Sequence, residues 1–239
     1  MLITADTRTL PVKANCAQLV YADPPFTDAY DSTEILTSYR KFTQDWIYHA
    51  TRCMADDSYL LINTQSKIRY DIETCMRKYR SYISFVQDLI WFYNFGTYTK
   101  KKFVESHQTI LVYKRGTPFF NWQSVAIPSQ RMLSKDLRAD HRGRTPPTVL
   151  QYPRVPGNSR ERDYLRHAKG RSCQPIELCT TFVRAFSRPN DIVLDLFTGS
   201  GSMYIAAKRQ GRRTLGFDIH HLYLTQAHDR YKEGWKRHV

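Results

Sequence analysis

Strand and helix alternate from Asp191 to Glu233, and that alternation limits the fold more than any other feature of the chain. "DIVLD" (191–195) is a short apolar run. It is followed by a glycine turn, a helical stretch over about 201–210, the strand "RRTLGFD" (212–218) and a second helix over about 221–233. Parallel strands cannot be joined by a tight turn; they need a crossover, which a helix supplies. The first half repeats the pattern. A buried strand covers Ala17 to Ala22, and an amphipathic helix over 33–55 carries Ile35, Leu36, Tyr39, Phe42, Trp46 and Ile47 at three- and four-residue steps. Strand "YLLIN" (59–63), helix Ile68 to Tyr79, strand material in "YISFVQDLIWFY" and strand "QTILVYKRG" (108–116) complete it. The expected class is α/β: a Rossmann-like, mostly parallel sheet with helices on both faces.

The pattern fails between Thr117 and Asp163, where Pro118, Pro128, Pro146, Pro147, Pro153 and Pro156 interrupt any periodicity. That stretch reads as a small irregular insert. Helix resumes at Ile176 to Phe186, opened by Pro175. At 239 residues, with 41% hydrophobic and 13% aromatic side chains, the chain can bury one full α/β core and is not disordered. No secretory leader and no apolar run near the ~18 residues of a membrane span is apparent, so a cytoplasmic protein without membrane partners is expected. Cys16, Cys53, Cys75, Cys173 and Cys179 form no CxxC pair, so they read as reduced thiols, and no metal site is expected.

Charge narrows the partner. Lys and Arg number 36 against 22 acids, a net charge of +14, which suits a polyanion because each neutralised phosphate releases counterions. The excess concentrates at 98–115 and 131–171. Nucleic acid is the expected partner.

Two motifs carry the chemistry. "VYADPPF" (20–26) ends a strand with Asp23 and then fixes the turn with Pro24 and Pro25 before Phe26; the prolines remove two donors and leave carbonyls pointing outward. "DLFTGSGS" (195–202) places Asp195, Phe197, Gly199 and Gly201 after a buried strand, and Asp218 ends the next strand. An acid about 20 residues beyond such a turn suits ribose hydroxyls. The glycines do not form G-x-G-x-x-G and no Walker lysine follows, so neither NAD nor a triphosphate is favoured.

Together, Asp-Pro-Pro-aromatic followed later by D-x-F-x-G-x-G resembles the S-adenosylmethionine-dependent amino-DNA methyltransferases that act on adenine N6 or cytosine N4. The catalytic tetrapeptide comes first and the cofactor motif last, as in the permuted β group. "LITADTRTLP", "FVESHQTILVYKRG" and "CQPIEL" resemble flanking motifs, with Glu105 and Gln174 where the family usually has basic residues. The resemblance covers nearly the whole chain except about 117–150. It implies a catalytic half (1–116), a target-recognition insert (117–150) and a cofactor half (151–239).

The resemblance implies Asp23, Pro24, Pro25 and Phe26 as catalytic residues. The exocyclic amino group is a poor nucleophile, because its lone pair is delocalised into the ring. The Asp23 carboxylate and the Pro24 carbonyl would each accept one of its N–H bonds, and Phe26 would stack on a flipped-out base. Cofactor residues implied are Asp6, Asp23, Gln174, Pro175, Asp195, Phe197, Thr198, Gly199, Ser200, Gly201, Ser202 and Asp218. Lys100, Lys101, Lys102, Arg131, Lys135, Arg138, His141, Arg142 and Arg144 are candidates for phosphate or base contacts. Asp at the head of the tetrapeptide favours adenine. Cytosine N4, RNA adenine and a catalytically silent nucleic-acid binder are the alternatives. Double-stranded DNA is the implied partner, and the resemblance admits a homodimer and a cognate restriction endonuclease.

Overall fold

A computed structural model describes residues 1–26, 33–93, 100–155 and 173–235. Strands β1 (Leu2–Thr4) and β2 (Ala17–Ala22) precede helix α1 (Thr33–Cys53), β3 (Met54–Thr64) and α2 (Ser66–Met76). Next come β4 (Ser84–Phe92), β5 (His107–Arg115), the short α3 (Gln130–Leu133) and β6 (Val149–Gln151). The chain continues through α4 (Ile176–Phe186), β7 (Ile192–Asp195), α5 (Ser202–Arg209), β8 (Arg213–Asp218) and α6 (His221–Trp235).

The strands form one sheet in the order β1-β8-β7-β2-β3-β5-β4-β6. Every pairing is parallel except those of β5, which runs against both β3 and β4. The expected mostly parallel sheet is therefore present, with one reversed strand that can follow β4 through a loop rather than a crossover.

Both faces are covered, which explains why the central strands are apolar throughout and do not alternate with polar residues. In β2, Leu19 and Tyr21 join a core with Leu178, Phe182 and Val183 of α4 and Met203 and Ile205 of α5. Val20 and Ala22 join the opposite core with Trp46, Ile47 and Ala50 of α1 and Ile68 and Ile72 of α2. Tyr39, Trp46 and Ile47 of the stripe seen in 33–55 are buried on the packing face of α1, whereas Ile35 at its start is exposed.

The irregular stretch holds a 3-10 turn at Gln123–Val125, α3, and an isolated bridge between Ile127 and Arg144. Part of it departs from the expectation of loops: Val149–Gln151 pairs with β4 as an edge strand. Three residues are too few to show a period of two, so the strand was invisible to pattern reading. Residues 156–172, which carry part of the basic excess, lie outside the described residues. Among the described residues no helix is long and apolar enough to cross a membrane.

The order reverses between β7 and β2. From β2 the chain moves to β3 on one side; from β7 it moves to β8 on the other. A crevice beyond the carboxyl ends of strands at such a reversal is where open α/β sheets bind ligands. Tyr21 pairs with Asp195 there, so the two sequence motifs leave adjacent strands side by side.

Candidate active site

Asp23 is the first residue beyond β2. Its Oδ1 accepts a hydrogen bond from Asn63 Nδ2 at 2.7 Å, and its Oδ2 accepts one from Gln174 Nε2 at 3.1 Å. Asn63 lies near the end of β3 and also donates to Gln108 Oε1 of β5 at 2.9 Å. Gln174 precedes α4, and its Oε1 accepts from the Tyr21 hydroxyl at 2.6 Å. Although Asp23 is partly exposed as a residue, burial of its carboxyl group pushes the pKa up to about 6, against the lowering pull of the Asn63 bond. Pro24 is buried and Pro25 exposed, while Phe26 packs partly against the α1 side of the core.

The glycine turn follows β7. Asp195 is 2% exposed and accepts from the Tyr204 amide at 3.2 Å, tying the strand end to the first turn of α5. Burial pushes its pKa up to about 8; the Tyr204 bond opposes the shift, and the charges of Asp23 and Asp218 add to it. The Asp218 carboxylate accepts from the amides of Gly199 at 3.0 Å and His220 at 2.9 Å. Thr198 hydrogen-bonds Phe217 through the backbone at 2.8 Å and closes the turn by accepting from Gly201 at 2.7 Å.

The two glycines serve different purposes. Gly201 has φ +80°, and a Cβ there would lie 2.6 Å from that of Ala227, so α6 packs on the bare backbone. Gly199 has φ +46°, and the nearest atom to a Cβ would be Phe197 O at 3.9 Å. Of these two, Gly199 has the more open surroundings among the described residues. Phe197 is an aromatic core residue, edge-on to Trp46 at 5.6 Å between centroids and tilted against Phe42 at 6.1 Å. Ser202 Oγ donates to the Gln174 carbonyl at 2.7 Å and accepts from Arg230 Nη1 at 2.9 Å, while the same nitrogen holds Ser200 O. Pro175 stands at the N-cap of α4. Asp6 lies past β1, and its carboxylate is paired with Arg8 at 2.6 Å.

Asp23, Asp195 and Asp218 thus gather at the ends of β2, β7 and β8, and their donors are amides and backbone N–H groups. Among the described residues no Lys or Arg forms an ion pair with any of the three. Arg230 lies beside the turn with its Nη1 on Ser200 O and Ser202 Oγ, so no described cation neutralises the three carboxyl groups, and the crevice suits a ligand that carries a cation and hydroxyls.

A family model described as DNA methylase, for the N6 and N4 enzymes, matches residues 17–229. The chain belongs to this family. It is similar to the DNA adenine methyltransferase YhdJ of Escherichia coli (strain K12), 23% identical over 235 residues covering 92% of this chain and 77% of that one. Type II methyltransferase M1.MboII of Moraxella bovis is 26% identical over 236 residues, 90% of this chain and 89% of that one. The likeness to M.ScaI of Streptomyces caespitosus, 28% identical over 146 residues, covers 58% of this chain but only 47% of that enzyme. Among solved structures, the cytosine-N4-specific PvuII DNA methyltransferase superposes with a TM-score of 0.74 at 17% identity, over 96% of this chain and 85% of that one. The M1.HpyAVI–SAM complex gives 0.61 at 16% identity, over 90% and 88%.

Within this DNA methylase the basic candidates are arranged less simply than their spacing implied. Lys100, Lys101 and Lys102 are exposed on the segment before β5. Arg131 lies in α3, Lys135 takes φ +56°, and His141 is exposed. Arg138 is held by Asp136 at 2.8 Å and Arg142 by Asp140 at 2.9 Å, with Arg142 also over the Trp122 ring at 5.9 Å. Arg144 shares the bridge with Ile127. None of Arg131, Lys135, Arg138, Arg142 and Arg144 is joined by a hydrogen bond to the acid cluster.

Sequence reasoning missed Tyr21, Asn63, Gln108 and Arg230. Asn63 had a signal: a lone amide closes the apolar run "YLLIN" at the carboxyl end of a strand, where ligands bind. Arg230, 4% exposed, sits in "HDRYKEG" and reads as solvent-facing until the helix is packed.

Proposed function

We propose that this protein transfers a methyl group from S-adenosylmethionine to the exocyclic N6 of adenine in a flipped-out base of double-stranded DNA. The observation that carries the reading is Asp23 held by two amides at the end of β2, beside the glycine turn of β7. S-adenosylmethionine, when bound, supplies an electrophilic methyl on a sulfonium. The acid cluster and the open approach to Gly199 fit it: Asp195 and the turn from Thr198 to Ser202 would hold the methionine end, Asp218 the ribose, and Asp6 with Gln174 and Pro175 would border the site.

Asp23 accepts one N–H of the target amino group and the Pro24 carbonyl the other, freeing the nitrogen lone pair to attack. Both bonds strengthen as positive charge grows on nitrogen, so they favour the transition state over the ground state. The N–C bond would form as the sulfonium S–C bond breaks, its electron pair staying on sulfur as a neutral thioether, and the displaced proton would pass to Asp23 or through it to water. Phe26 offers an aromatic face to the extruded base. The basic insert and Lys100 to Lys102 would engage phosphates. A cytoplasmic setting, a homodimer and a cognate endonuclease belong to the same proposal.

Adenine is favoured by the aspartate of the tetrapeptide and by the likeness to YhdJ. Cytosine N4 is the second reading, favoured by the fold-level likeness to the PvuII enzyme. Incubation with mixed-sequence duplex and deuterium-labelled S-adenosylmethionine, followed by digestion and mass spectrometry, separates them. Labelled N6-methyladenine is expected; labelled N4-methylcytosine overturns the base assignment, and unlabelled DNA overturns the activity.

A further inference from the structure

Gln174 is joined at both ends, and by different partners. Its side-chain nitrogen donates to Asp23 Oδ2 at 3.1 Å across 151 sequence positions. An amide free to turn over would present its oxygen to the carboxylate instead. The ionised carboxylate of Asp23 is acceptor-only and so selects the nitrogen, while the Tyr21 hydroxyl, donating to Gln174 Oε1 at 2.6 Å, holds the amide oxygen on the other side. The main chain is fixed independently: the Gln174 carbonyl accepts from Ser202 Oγ at 2.7 Å, which in turn accepts from Arg230. Gln174 is 6% exposed and Tyr21 2%, so water does not compete for these bonds.

We propose that Gln174 is a positioning residue for Asp23. With Asn63 it fixes the carboxylate by one bond to each oxygen, leaving the remaining lone pairs for the target amino group, and it links that orientation to the glycine turn. A carboxylate offers about four acceptor sites. Two are taken by neutral amides, which orient the group without cancelling its charge. The role rests on the amino-methylation reading, in which Asp23 touches the reacting nitrogen.

Among the described residues, the titratable groups facing Asp23 are Tyr21 of the preceding strand, Asp195 at the end of β7 and Cys179 of α4. β3 contributes the Asn63 amide, which Gln108 of β5 holds in turn. Loss of the Gln174 donor therefore leaves the ionised form in its buried setting with one described hydrogen bond in place of two, and its titration moves to higher pH.

The test uses the full chain carrying Gln174→Met, which keeps length and removes the donor, and Tyr21→Phe, which keeps the ring and releases the amide. Three quantities are measured: kcat on duplex DNA, the Kd for S-adenosylmethionine, and the 13C NMR titration of the Asp23 carboxyl in cofactor-free protein, assigned with Asp23→Asn. In Gln174→Met, kcat is expected to fall about 10- to 100-fold, the worth of one charge-assisted bond, with Kd within about threefold. The Asp23 midpoint is expected to rise. Tyr21→Phe is expected to do the same more weakly, and it carries the test if Gln174→Met does not fold. Gln174→Lys restores a donor and adds charge, so its midpoint should drop below that of Gln174→Met. An unmoved midpoint with unchanged kcat overturns the proposal, as does a loss confined to Kd, which would make Gln174 a cofactor contact. If wild type labels no DNA while the midpoint still moves, the methylation reading fails and the hydrogen-bonded bracket stands.

Discussion

Tyr21 and Asp195 face each other in the parallel register of β2 and β7, and the Asp-Pro-Pro-Phe and glycine motifs lead off from that pair. Asp23 leaves β2 two residues later, and Asp195 is the last residue of β7. The two carboxyl groups are near enough for the charge of Asp23 to raise the pKa of Asp195.

Activity should follow the ionisation of Asp23. Its carboxyl group is pushed up to about 6, mainly by burial. In the proposed role the ionised form is the stronger acceptor and the one able to take the displaced proton, so kcat/KM should climb about tenfold per pH unit below 6 and level off above it. A pH–rate profile from 5 to 8 checks this, and a flat line across 5 to 7 would contradict the role.

Asp23→Ala should lower turnover by about 10²-fold or more, the usual loss when a group acting in the transition state is removed. Binding of S-adenosylmethionine, measured by calorimetry, should stay within about threefold. Substantial turnover by this variant would remove Asp23 from the chemistry.

Asp195 predicts a pH dependence of stability. Its folded pKa, raised to about 8, lies well above the unfolded value of about 3.9. The folded protein therefore keeps a proton that the unfolded chain releases, and stability declines as pH rises from about 4 to about 8. Without cofactor, Tm should fall over that range. Asp195→Asn should flatten the decline and melt higher than wild type at pH 8.5, while binding S-adenosylmethionine more weakly. A steeper decline in the variant would refute the assignment.

The glycines of the turn should separate by substitution. Gly201→Ala places a Cβ against Ala227 of α6 at φ +80°, so it should cost about 2–4 kcal/mol in chemical denaturation. Ala227→Gly should recover part of that loss in a double-mutant cycle. Gly199→Ala meets no neighbour closer than 3.9 Å, so it should cost about 1 kcal/mol and act mainly on cofactor affinity. Equal destabilisation by the two would contradict this division.

The contrast between those glycines marks what could be read from the chain alone. β2, α4 and β8 were legible because each is an apolar run bounded by a polar or turn-forming residue, and α4 runs from Ile176 to Phe186 as its spacing indicates. The Asp-Pro-Pro-Phe turn was legible because proline restricts backbone geometry locally. The bracket around Asp23 was not, since Asn63, Gln108 and Gln174 meet only after the sheet order is set, and β5 enters between β3 and β4 against chain order. The resemblance implies Gly201 as a cofactor residue, but the neighbour that a Cβ there would strike, a helix 26 positions later in the chain, is not legible in the motif. Sequence spacing names the residue type a turn needs, not the neighbour that imposes it.

The placement of β2 also bears on how the protein is made. This strand is apolar on both faces and takes its sheet partners from opposite parts of the chain, β3 soon after it and β7 far later. During synthesis β2 can pair with β3 early, but its other edge stays open until the segment carrying β7 has emerged from the ribosome. An unpaired apolar edge is a template for association with other chains. The strand that leads into Asp23 therefore needs shielding in the nascent protein while translation proceeds.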